Sequence, residues 1–172
     1  MSTEKDKQHS VDVGDFRSAL SCFATGVAVV TCLDGSDEPI GITISSFNSV
    51  SLDPPLVLWS IAKNAMSYEA FMNADYFAVS VLAMDQKDLS ARFAKSGEDK
   101  FGGLHCRAGV GGAPILPEYA ACFECSTEHR YDGGDHTIIV GRVLTLEDRE
   151  SDPLIFYRGR FLRKGGPYPD DS

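Results

Sequence analysis

The sequence predicts a mainly β domain, a mostly antiparallel barrel with a few peripheral helices. Three observations lead there. Strand-like segments follow one another closely, with about seven strands to three short helices, not in the regular βαβ alternation of a doubly wound sheet. The 172 residues suffice for one domain with a full hydrophobic core and are too few for two comfortable ones. Apolar residues form 43% of the chain and charged residues 24%, the mixture of an ordinary globular protein.

Taken in order, residues 1–11 read as a flexible tail and the domain spans 12–164. Helical spacing begins near Asp12, where Phe16, Leu20 and Phe23, with Ala19 and Ala24, share one face, and Gly26 ends the helix. Residues 27–33 are β-branched and bounded by the Asp34-Gly35 turn signal. A second strand covers 39–47, and Asp53-Pro54-Pro55 introduces a third over 56–61. Asn64 is expected to cap a short helix reaching Met72, and 76–83 is strand again. Asp85 is expected to cap a helix carrying Leu89 and Phe93, and the Gly-rich 94–117 reads mostly as loop. Two long strands, 120–131 and 137–146, flank the Asp132-Gly133-Gly134-Asp135 turn. Short strands at 154–157 and 160–162 surround Gly159, and 165–172 is a second flexible tail without periodicity.

The net charge of −9, with acids gathered near both ends, argues against a duplex nucleic-acid partner, which calls for a basic face. No stretch approaches the ~20 apolar residues of a membrane span, and Met1 to Asp12 shows no apolar signal region. Five cysteines, an odd number, read as free thiols in a reducing compartment, so a cytoplasmic location is expected.

Some familiar chemistries are missing. Gly109-Val110-Gly111-Gly112 has neither the preceding strand nor the following helix of a dinucleotide fingerprint and reads as a flexible loop. Cys122 and Cys125 have CxxC spacing inside a strand, where positions three apart face opposite sides, so neither a shared metal nor a disulfide is expected. His9, His105, His129 and His136 form no helical HxxxH pair, and no metal site is expected.

Four polar clusters remain as candidates. The hydroxyl-rich run from Gly41 to Ser51 puts Thr43 and Ser45 on one strand face, able to meet the polar rim of a planar heterocycle; composition alone favours a solvated strand edge. Ser60 to Ser67 joins a strand end to a helix start, with Lys63 beside the open N–H groups: a phosphate cradle, or ordinary capping by Asn64. His136 stands at a hairpin tip, where a surface role and a ligand role are both open. Tyr157-Arg158-Gly159-Arg160 combines an aromatic plane with two guanidinium groups, suited to pyrophosphate or to a solvated strand end.

The ordered series of motifs decides between these readings. Phe23-Ala24-Thr25-Gly26-Val27, Ser46-Phe47-Asn48-Ser49-Val50-Ser51-Leu52-Asp53-Pro54-Pro55, Leu89-Ser90-Ala91-Arg92-Phe93-Ala94, Lys100-Phe101, Gly134-Asp135-His136 and Phe156-Tyr157-Arg158-Gly159 closely resemble the short-chain flavin reductases, across residues 15–163. These are the reductase partners of two-component flavin monooxygenases. The resemblance implies a split β-barrel of the FMN-binding type and a homodimer, with FMN or FAD near the subunit interface, reduced by NADH or NADPH and passed to a separate oxygenase. It implies that Thr43, Ile44, Ser45, Ser46 and Phe47 line the isoalloxazine. Ser60, Ile61, Lys63, Asn64 and Ser67 would hold the ribityl phosphate, with Arg92 close to the flavin. His136, Tyr157, Arg158, Gly159 and Arg160 would meet the nicotinamide nucleotide. Many relatives carry Ala-Asn where Ile44-Ser45 stand here. Hydride passes between cofactors, so no side chain is expected to act as a chemical catalyst. A non-enzymatic flavin- or haem-binding split barrel is the alternative, and a structural interaction module a third reading.

Overall fold

A computed structural model of the chain describes residues 11–97, 99–163 and 166–167. The elements are α1 (Val13–Leu20), β1 (Thr25–Gly26), β2 (Ala28–Leu33), β3 (Pro39–Ile44), β4 (Asn48–Leu52), β5 (Pro55–Ala62) and α2 (Tyr68–Asn73). There follow β6 (Tyr76–Val81), α3 (Lys87–Ala94), β7 (Arg107–Ala108), β8 (Pro114–Ile115), β9 (Ala121–Gly133), β10 (His136–Asp148), β11 (Ile155–Tyr157), β12 (Arg160–Arg163) and β13 (Gly166–Pro167).

Seven strands form one antiparallel sheet in the order β3-β2-β6-β9-β10-β5-β4. Its two edge strands, β3 and β4, are neighbours in sequence, joined only by Ser45, Ser46 and Phe47. Such a link reaches at most about 14 Å, so the sheet must curl until its edges approach. This is the mainly β, antiparallel architecture that the strand spacing predicted, and it is consistent with the split barrel that the family resemblance implies. A smaller sheet, β1-β11-β12-β13, packs beside it.

The period-two pattern of β2 explains the two cores. Val30 and Cys32 point into the barrel, where Trp59 meets Phe71 edge-on at 4.9 Å and Phe77 at 5.9 Å. Val29 points to the opposite face, into a second cluster with Leu82, Phe93, Leu116 and Leu154. Cys122 and Cys125 fall into separate clusters on opposite faces of β9, as their spacing predicted, and all five cysteines are free.

Several local expectations are corrected. The run at 48–52 is a strand rather than a loop, a short edge strand whose only apolar residues, Val50 and Leu52, are both exposed. β3 ends at Ile44 instead of residue 47. α2 begins at Tyr68, four residues beyond Asn64, because main-chain bonds from Ala65 to Ala62 and from Tyr68 to Ala65 close two turns first. Asn64 caps nothing. Asp85 is not a cap either: Gln86 precedes α3, and its side chain accepts from Ala83 N at 2.7 Å and donates to Glu118 O at 2.9 Å.

The Gly109 loop is fastened rather than loose. The buried Glu124 carboxylate accepts from Val110 N at 2.6 Å and from Arg107 Nη1 at 3.1 Å. Gly166–Pro167, expected in a tail, pairs with Leu162 and Arg163 of β12. Most of both expected tails, residues 1–10, 165 and 168–172, lies outside the described residues.

Candidate functional site

Two clefts meet at the C-terminal end of α3, where Ala94 lines both. The smaller, about 220 Å³, lies between the end of β3 and the β11–β12 hairpin and is lined by Thr43, Ile44, Ser45, Ser90, Phe156 and Phe161. The larger, about 340 Å³, extends from Ile40 and Ile42 past Met66 and Ser67 to Ser96, Lys100 and Phe101. Together they form a groove along β3, apolar at its floor and edged by hydroxyls and amines.

The smaller cleft follows from local sequence. Thr43 donates to Ser90 O at 2.7 Å, tying β3 to α3, so α3 packs close enough to wall one side. Gly41 makes this approach possible. A Cβ there would stand 2.5 Å from the Phe93 ring, inside any allowed contact. Phe156 and Phe161, cross-strand partners with ring centroids 5.3 Å apart, supply the opposite apolar wall. Thr25, on the strand paired with Phe156, holds a buried hydroxyl without a hydrogen-bond partner. A flat apolar slot edged by hydroxyls fits a planar heterocycle carrying polar atoms along one rim.

Lys100 escaped the sequence reading. It donates to Gly41 O and to Phe93 O, each at 3.0 Å, and half-burial lowers its pKa by desolvation. Its only sequence signal was its place in the Lys100-Phe101 motif.

The remaining candidates divide. Ile61 is a core side chain, 1% exposed, and lines neither cleft. Phe47 packs on Phe123 at 5.3 Å. Asn64 is exposed in the turn before α2. Arg92 turns to the carbonyl of Gly102 and lines neither cleft.

Lys63 is engaged by Asp132. Their hydrogen bond raises the Lys63 pKa and is the main cause that holds Asp132 below the usual carboxylate range. Lys63 N also donates to Asp135 O at 2.9 Å, and Tyr68 bonds Thr137 at 2.9 Å. These contacts stitch the β9–β10 tip onto the 60–67 segment and set His136 opposite Ala62. The His136 ring meets Asp135 Oδ1 through Nδ1 at 2.7 Å, and the side chain is partly exposed. That bond is the main cause that lowers the Asp135 pKa.

Tyr157 and Arg160 pair across the β11–β12 turn formed by Arg158 and Gly159, both left-handed at φ 48° and 77°. Arg158 N donates to Ser21 O at 3.0 Å, and its guanidinium lies 2.9 Å from Cys22 Sγ. The motif therefore rests on the end of α1. Buried Cys32 and Cys125 thiols are pushed up to about 12, and Cys122 to about 11, chiefly by desolvation, so none is a ready nucleophile. Among the described residues no cluster of His, Cys, Asp and Glu could hold a metal ion, and no helix is long and apolar enough to cross a membrane.

Residues 20–165 match the family model of the flavin reductase like domain. The chain is 50% identical over 148 residues to the FMN reductase (NADH) SmoA of Agrobacterium fabrum, a match covering 86% of this chain and 84% of that one. It is 40% identical to HsaB of Rhodococcus jostii, the reductase subunit of a flavin-dependent monooxygenase, over 95% of this chain and 82% of that one. Other relatives are longer: the chain spans 47% of a probable flavin reductase and 64% of a stachydrine N-demethylase reductase subunit, both of Rhizobium meliloti. Its fold superposes with TM-score 0.82 and 38% identity on the NADH:FAD oxidoreductase SgcE6 of Streptomyces globisporus, solved in complex with NAD and FAD fragments, over 95% of this chain and 99% of that one.

Proposed function

The chain belongs to the flavin reductase-like family, and from that membership we propose that it moves a hydride from NADH or NADPH to FMN or FAD and releases the reduced flavin to a separate flavin-dependent oxygenase. The observation that carries the reading is the groove along β3, an apolar slot edged by Thr43, Ser45 and Ser90 that opens into a polar cleft at Ser67 and Lys100.

The bound cofactors supply the redox chemistry themselves. The side chains supply position. Phe156 and Phe161 would offer apolar faces to a ring system, while Thr43 and Ser45 would meet its polar edge. Ser67 and Lys100, which line the neighbouring cleft, would hold the phosphate-bearing side chain. His136, held by Asp135, would meet the nicotinamide, and Tyr157, Arg158 and Arg160 would hold its phosphates.

A homodimer completes the site. Helix α1 ends at Leu20, not at Gly26 as the spacing suggested; among the described residues it buries none of its side chains, and Phe16 and Leu20 on it, with Phe23 just beyond, stay more than half exposed. A symmetric second copy removes these side chains from water and closes the groove. A cytoplasmic location fits the five free thiols.

The test follows NADH absorbance after addition of the protein with FMN, FAD or riboflavin, alongside a fluorescence titration of each flavin. Flavin-dependent NADH loss supports the reading. Flavin binding without NADH oxidation refutes the reductase and leaves a carrier.

A further inference from the structure

The β4–β5 ladder continues beyond its last main-chain pair through a side chain. Asn48 pairs with Leu58, and the same register places Ser46 opposite Ser60. The chain has left the ladder at that point, and the Ser46 hydroxyl takes over. It accepts from Ser60 N at 3.0 Å and donates to Ser60 O at 3.2 Å. A hydroxyl has one proton, and here it is committed to Ser60. Among the described residues, the main-chain groups of Ser45, Ser46 and Phe47 make no hydrogen bond to other main chain.

We propose that Ser46 is a positioning residue: its hydroxyl replaces a strand partner for Ser60, locks the 60–67 segment against Thr43 and Ser45, and leaves the main chain of 45–47 free to serve the flavin. Thr43 and Ser45 line one cleft and Ser67 the other, so a flavin that spans both feels their relative register. The inference rests on the flavin-reductase reading. It gives the Ser46 side chain no contact with the cofactor, unlike the lining role that the family resemblance implies for it.

The experiment compares wild type, S46A and S46T in the full chain. Amide exchange at Ser60 is measured without flavin, and FMN and riboflavin are titrated by fluorescence quenching. In S46A, Ser60 exchange rises about ten- to a hundredfold with two hydrogen bonds lost, and FMN affinity falls about tenfold. Riboflavin, which lacks the phosphate, loses less, and kcat at saturating flavin stays within about threefold. S46T restores both exchange protection and affinity.

A direct ligand contact would weaken FMN while leaving Ser60 protected in flavin-free S46A, and that result overturns the proposal. Unchanged FMN affinity in S46A, or S46T behaving as S46A does, overturns it as well. Wild type that binds no flavin overturns the functional reading, a result distinct from these. Should S46A fail to fold, S46C, a weak donor of similar size, carries the same comparison.

Discussion

Gly41→Ala tests how tightly β3 and α3 are packed beneath the groove. The added Cβ would stand 2.5 Å from Phe93 Cε1 and 2.7 Å from Cδ1, more than an ångström inside normal contact. Neither side can yield easily. The main chain at Gly41 pairs with Thr31 on β2 and accepts from Lys100. Phe93 is fully buried and held edge-on by Phe101 at 5.1 Å. Overpacking of this kind costs about 1–3 kcal/mol. For a domain of this size each kcal/mol lowers Tm by roughly 2–4 °C. Calorimetry or thermal circular dichroism on G41A, F93L and G41A/F93L gives a double-mutant cycle. F93L alone opens space and lowers Tm, whereas in the pair the methyl occupies that space. The double variant is therefore more stable than the two losses summed, by about 1 kcal/mol or more. Additivity within about 0.5 kcal/mol, or a G41A Tm equal to wild type, refutes the packing argument. Ala94 follows Phe93 and lines both clefts, so flavin affinity of G41A falls with stability and recovers with it in the pair.

Four further outcomes follow from the site and its surroundings. His136→Ala raises KM for the nicotinamide so that kcat/KM falls roughly ten- to a hundredfold, with flavin affinity nearly unchanged; steady-state kinetics against both substrates check it, and an unchanged nicotinamide KM removes the role. Leu20→Asp on α1 with Phe23→Asp just beyond it produces a monomer in sedimentation at micromolar concentration, and a variant that stays dimeric shows the interface lies elsewhere. Native protein at pH 8 alkylates readily at exposed Cys22 and not at Cys32, Cys122 or Cys125, whose thiols stay protonated there; peptide mapping reads this directly. Because the Asp132 pKa is depressed in the folded state, its pairing with Lys63 stabilises above the ordinary carboxylate pKa and is lost as pH falls through the depressed one. Asp132→Asn therefore flattens the acid limb of the Tm-versus-pH curve, and an unchanged limb means that the pair contributes nothing.

Much of the fold was legible because periodicity reports burial. Val29 and Val30, Phe77 and Val79, and the long runs at 120–131 and 137–146 all belong to strands buried on at least one face, and their apolar patterning marked them. The 48–52 strand was hidden because it is a short edge strand that buries neither of its two apolar residues, Val50 and Leu52. Short-range capping signals misled at Asn64 and Asp85: main-chain turns delay α2 to Tyr68, and Gln86, whose side chain is bound to Ala83 N, precedes α3. The binding groove was legible only in part. Thr43 and Ser45 announced themselves as hydroxyls on a strand. Lys100 contributes through its distant partners Gly41 and Phe93, and no local spacing encodes those contacts. The α1 face was legible as apolar, but nothing among the described residues covers it.

The strand order also sets a timetable for synthesis. β5 lies between β4, made just before it, and β10, which reaches it through His136 opposite Ala62 and Arg142 opposite Leu56. The ribosome adds about 5–20 residues per second, so β5 waits roughly 4–15 s for the seventy-odd residues that bring its second neighbour. During that interval Leu56, Leu58 and Ile61 belong to an unfinished edge, and loop closure over such a separation slows pairing further. A chain arrested before residue 136 therefore exposes a β-branched and leucine-rich strand to its siblings, and such fragments should collect in the insoluble fraction while the complete chain does not.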